Sequence, residues 1–148
     1  MCGIVGLFLK NPRLQPQLGA LTAQMLKTMT ERGPDSAGFA VYGGAQHGQS
    51  KITVRGLEES QRKDFEAGVL AVSQKATFVF RDDHAIITCS HEAELAVRAF
   101  VYGFRHGVVC VSSGDSIERH KAVGLPEGVS APFGLSEMTG TRAILHTR

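Results

Sequence analysis

Apolar positions along the chain follow two periods. Cys2-Gly3-Ile4-Val5-Gly6-Leu7-Phe8-Leu9 is apolar on both alternating faces and predicts a strand covered on both sides. Asn11-Pro12 ends it. Leu18, Leu21, Met25 and Met29 recur at steps of three and four and predict an amphipathic helix from Leu18 to Glu31. Arg32-Gly33-Pro34-Asp35-Ser36 stops that helix, because proline cannot continue it. Strands follow at Ala37–Tyr42 and Lys51–Arg55, then a helix over 58–72 with Phe65, Val69 and Val72 on one face. Thr77–Phe80 and Ala85–Cys89 read as a hairpin, although its turn, 81–84, lacks glycine. A helix over 91–104 and a strand over 108–111 come next, the strand ended by Ser112-Ser113-Gly114-Asp115. Residues 124–140 are rich in Gly, Pro and Ser and read as loop with one helical turn near Leu135, before a last strand at Ala143–Leu145. Adjacent strand pairs mixed with helices predict an α+β fold rather than a doubly wound parallel sheet.

Length and charge narrow the picture. The 148 residues are read as one domain, long enough to bury a core without disulfides or metal. Sixteen basic residues against fourteen acidic ones give a net charge of +2, too balanced to argue for nucleic acid or a membrane surface as partner. No apolar run approaches the roughly 20 residues of a membrane helix, and Lys10-Asn11-Pro12 interrupts the opening apolar stretch, so no signal peptide is read and a cytoplasmic location is expected. Three cysteines, an odd number without a CxxC pair, argue against a disulfide framework or a zinc site. Cys89 and Cys110 lie in apolar strands and are read as core. The six histidines are scattered without HxH or HExxH spacing, and Gly43-Gly44 is a turn rather than a phosphate loop, so neither metal nor cofactor is expected. Arg98, Arg105, Arg119 and Lys121 are read as solvated faces.

Position two carries the chemistry. Cys2 follows the initiator methionine, and its small side chain leads us to expect removal of Met1. The product has a thiol and a free α-amine on one residue. An α-amine ordinarily titrates at about 7.7–8.0, so part of it is neutral near pH 7 and can accept a proton. An N-terminal residue of this kind holds both nucleophile and base for amide hydrolysis. The plain alternative is a small buried hydrophobe, the commonest fate of a free cysteine.

Three motifs bear on that choice. Cys2-Gly3-Ile4-Val5-Gly6 resembles the opening of the class II glutamine amidotransferases, N-terminal-nucleophile enzymes that release ammonia from glutamine. Arg32-Gly33-Pro34-Asp35-Ser36-Ala37-Gly38 resembles their RG-x-DS-x-G segment, and His146-Thr147-Arg148 their HTR segment. The longer spacing between the second and third motifs resembles the amidotransferase-like subunits of glutamate-synthase-type and N-methylglutamate-synthase-type systems. The resemblance implies the N-terminal portion of a layered αββα N-terminal-nucleophile hydrolase fold over residues 1–148. It makes Cys2 the nucleophile, and its amine the base. Arg148, with Thr147, would bind glutamine, a guanidinium pairing bidentately with the α-carboxylate. Arg32, Gly33 and Asp35 would organise the loop beside the N-terminus; the competing reading is an ordinary surface turn. Ammonia would pass to a synthase partner. The family's Asn-Gly oxyanion pair is missing, since Asn11 is the only asparagine, and the sequence is therefore expected to be a fragment. Two alternatives stay open: an N-terminal-cysteine amidase for another amide, and an inactive truncated domain that binds a partner.

Overall fold

The computed structural model describes residues 2–44 and 47–148. It is α+β, with two four-stranded antiparallel sheets and four α-helices among the described residues. The contacts form two compact units, residues 1–44 with 119–148 and residues 45–118. None of the described helices is long and apolar enough to cross a membrane.

The first unit contains β1 (Gly3–Phe8), α1 (Leu18–Thr28), β2 (Ser36–Tyr42), most of β7 (Ile117–Val123), α4 (Pro126–Ser130) and β8 (Arg142–Thr147). Its sheet runs β1-β8-β2-β7, so the last strand in sequence lies between the first two. The odd positions of β1 and β8 face the helix side, where Leu18 and Leu26 of α1 meet Phe39, Leu145, Phe133 and Leu135 in one buried cluster. The other face is open: Ile4 is 79% exposed, Phe8 60% and Ile144 49%. The expectation that β1 is covered on both sides is therefore corrected, its even positions being free of any covering layer within the unit. Arg142 lies 4.5 Å from the Tyr42 ring centre by cation–π contact.

The second unit contains β3 (Gln49–Arg55), α2 (Arg62–Val72), β4 (Thr77–Arg81), β5 (His84–Ser90), α3 (Glu94–Phe104) and β6 (Val109–Gly114), with sheet order β4-β5-β3-β6. Phe65 of α2 packs edge-on against Phe104 of α3 at 5.2 Å, over a core that includes Ile52, Val54, Ile87 and Val101. The hairpin β4–β5 turns without glycine because Asp82 takes the left-handed conformation, φ 53°, one that aspartate tolerates better than most residues. Ser50 Oγ donates to Glu94 Oε2 at 2.7 Å and Ser113 Oγ donates to Oε1, tying the start of α3 to β3 and β6. These hydroxyls are the chief reason the Glu94 carboxyl is held below its ordinary value.

Two elements differ from the sequence reading. β7 places charged residues among its apolar ones, and its buried side chain is His120, stacked on Phe133 and tilted against Phe39. α4 is a five-residue helix with proline in its first turn, inside the stretch expected to be loop. The turn near Leu135 forms as expected, at Leu135–Glu137. The three longer helices each have a 3₁₀ turn where a further helical turn is predicted, at Thr30–Arg32, Glu59–Gln61 and His91–Ala93.

Candidate functional site

Antiparallel pairing brings residues from opposite ends of the sequence to one end of the first unit's sheet. Gly3 pairs with Thr147, and Ala37 pairs with Thr147 from the other side. One step further along, Cys2 and Arg148 come to that end together. Both are exposed. Continuing the strand alternation by one residue puts them on the open face, while Gly3 and Thr147 face the helix.

The turn after α1 grips the main chain of Arg148. Arg148 N–H donates to Ser36 O at 2.8 Å, and Arg148 O accepts from Asp35 N–H at 2.7 Å and Ser36 N–H at 3.0 Å. Gly33 is buried against the same residue: a methyl built there would lie 2.7 Å from Arg148 C and Cα, and closer still to its N. Gly33 has an extended backbone, φ −171°, so what selects glycine here is space and not conformation. Asp35 O also accepts from Gly124 N–H at 2.9 Å, which anchors the turn to the end of β7.

The site residues expected from sequence thus converge, with differences in how each is used. Arg32 and Asp35 are exposed and form no salt bridge with each other. Asp35 acts through its main chain. Thr147 is fully buried, and its hydroxyl donates to Met29 O at 3.5 Å, so its side chain serves the interior. His146, expected from sequence only as a strand-end residue, lies on the open face between β1 and β2. A methyl on Gly38 would come within 2.6 Å of its Nε2, so the imidazole occupies the space a side chain at 38 would take. Burial, then the charges of Lys121 and Arg119, push the His146 imidazole below its ordinary value and favour its neutral form. Lys121 and Arg119 therefore influence the site end of the sheet as well as facing solvent. The sequence signal for this arrangement is the i, i+2 spacing of His146 on β8 and Arg148 just past its end.

The other two thiols differ from Cys2. Cys89 is buried, Cys110 half-buried, and burial raises both, keeping them protonated. A groove of about 310 Å³ lined by Leu7, Leu21, Gln24, Met25 and Thr28 runs between α1 and β1, and none of these lining residues is titratable. Among the described residues no three His, Cys, Asp or Glu side chains gather as a metal-ion site.

No known protein-family pattern matches the chain. It is 44% identical over 149 residues to the glutamine amidotransferase-like protein GlxB of Rhizobium meliloti (strain 1021), a match that covers all of this chain and 50% of that protein. It is 29% identical over 159 residues to a Methanothermobacter thermautotrophicus protein that carries glutamine amidotransferase as a provisional name, covering all of this chain and 52% of that protein. The chain spans about half the length of these curated relatives.

Proposed function

We propose that the chain is the nucleophile-bearing part of a glutamine amidotransferase of the N-terminal-cysteine class, with the corresponding N-terminal-nucleophile fold. The observation that carries this reading is the strand register that gathers an exposed Cys2, an exposed Arg148 and the Arg32–Ser36 turn at one end of one sheet. The names of the two relatives support it.

Arg148 pairs with the α-carboxylate of glutamine and fixes one end of the substrate. The Cys2 α-amine, free once Met1 is removed, takes the thiol proton. The sulfur attacks the side-chain amide carbon, a C–S bond forms, and the carbonyl oxygen becomes an oxyanion. The oxyanion collapses, the C–N bond breaks, and the amine's proton leaves with nitrogen as ammonia. Water then cleaves the γ-glutamyl thioester to glutamate and regenerates the thiol. Gly33 and the main chain of Asp35 and Ser36 hold Arg148 in place, so the turn sets the carboxylate anchor. Additional polypeptide, which the relatives have in the half not matched here, is assigned the oxyanion donors and the link to an ammonia-using synthase.

The test is glutamate release from glutamine by the protein joined to the polypeptide that supplies the oxyanion donors, beside Cys2→Ala. Release that depends on Cys2 is expected. Release that Cys2→Ala leaves unchanged would count against the reading.

A further inference from the structure

We infer that Met29, on the sequence pattern only one apolar position of a helix face, is the residue that sets the distance between Cys2 and Arg148 and so the length of side-chain amide accepted. The inference rests on the glutaminase reading. Met29 ends α1 at φ −91° and ψ 4°, and is buried at 8% exposure. It touches each of the three segments that make the site. Its Cε lies against Gly3, the residue next to Cys2: a methyl built on Gly3 would be 3.1 Å from Met29 Cε, 3.1 Å from Thr147 Oγ1 and 3.5 Å from Arg32 Cβ. Its carbonyl accepts from Thr147, the residue next to Arg148, at 3.5 Å. The same carbonyl accepts from Arg32 N–H at 3.0 Å, which starts the turn that grips Arg148. One side chain therefore supports the strand that bears the nucleophile, and its main chain ties down the strand and the turn that bear the carboxylate anchor.

Such a placement matters because the two ends of the substrate are joined by a chain of fixed length. Asparagine has one methylene fewer than glutamine, so with its carboxylate on Arg148 its amide carbon falls short of Cys2. A site discriminates one methylene by about 10–200-fold. That ratio survives only if β1 and β8 are held against each other at this end. The edge position of β1 makes the support necessary, since among the described strands β1 is hydrogen-bonded in the sheet on the β8 side alone.

The test uses electrophiles and does not need turnover. Cys2 labelling is followed by intact mass with three probes: a chloromethyl ketone shaped as glutamine, its asparagine-length homologue, and iodoacetamide. The parent protein is expected to prefer the glutamine-length ketone over the shorter one by at least roughly tenfold. In Met29→Ala that ratio should fall toward one while the iodoacetamide rate changes little. Met29→Leu, close in volume, should keep most of the ratio. Met29→Val withdraws the methyl from Gly3 yet keeps an apolar side chain, and serves if Met29→Ala does not fold. Slow labelling of Cys89 is the control for an intact core. A parent preference that persists unchanged in Met29→Ala or Met29→Val overturns the role of Met29. A parent that shows no preference for the glutamine-length ketone over iodoacetamide or the shorter ketone overturns the glutaminase reading itself.

Discussion

Replacing Gly33 by alanine tests the packing that positions Arg148, the proposed carboxylate anchor. The added methyl would sit 2.7 Å from Arg148 C and Cα, and main-chain atoms cannot rotate away. Either the turn or the end of β8 must move. Three main-chain hydrogen bonds join them, at 2.8, 2.7 and 3.0 Å. Each contributes about 0.5–1.5 kcal/mol net, and forced overpacking costs about 1–3 kcal/mol. Gly33→Ala should therefore lose about 1–3 kcal/mol, read from the denaturant midpoint at unchanged slope. Gly128→Ala is the control: a methyl there meets nothing within 4 Å, and position 128 is inside α4. Alanine favours a helix over glycine by about 0.8–1 kcal/mol, so this substitution should be neutral or stabilising. Glutamine use should suffer beyond the stability loss, because a misplacement of about 1 Å can cost a hundredfold in rate. If Gly33→Ala matches the parent in both midpoint and glutamine use, the turn does not hold Arg148 as described.

Arg148→Lys should lower kcat/KM for glutamine by roughly ten- to a hundredfold, because a hydrogen bond to a charged group is worth about 1.5–3 kcal/mol; equal losses for an activated amide lacking the α-carboxylate would make Arg148 structural. The depressed His146 adds a pH dependence with a definite sign: the folded state binds this proton less readily than the unfolded chain, so its contribution to stability is complete above the ordinary value of 6.5 and is lost as pH falls through the lower folded-state value. His146→Gln should flatten that part of the stability-against-pH curve, and an unchanged slope would exclude His146 as its source.

Elements of strong period and the motifs that nominate Cys2 are legible in the sequence, but the arrangement that joins them is not. α1, α2 and α3 are legible because Leu18 to Met29, Phe65 to Val72 and the 91–104 segment repeat at helical spacing. β7 is hidden by Glu118, Arg119 and Lys121, since its burial rests on His120 and aromatic stacking rather than on an apolar run. β1 reads as two-sided because Ile4 and Phe8 are as apolar as Val5 and Leu7; composition cannot tell a covered face from an open one. The motifs name Cys2, Arg148 and the 32–36 turn, but spacing gives no register between strands at opposite ends of the sequence. The places of Met29 and Gly38 depend on what a neighbouring side chain or backbone leaves room for, which only the folded chain expresses.

The most direct measurement of the central claim is the intact mass of the protein, joined to the polypeptide that supplies the oxyanion donors, quenched in acid soon after mixing with glutamine. The expected product is a chain that begins at Cys2 and carries one γ-glutamyl group, with the adduct mapping to the N-terminal peptide, lost on treatment with hydroxylamine, and absent from Cys2→Ala. A chain that retains Met1, or a Cys2 that stays unmodified while glutamate accumulates, would contradict the claim.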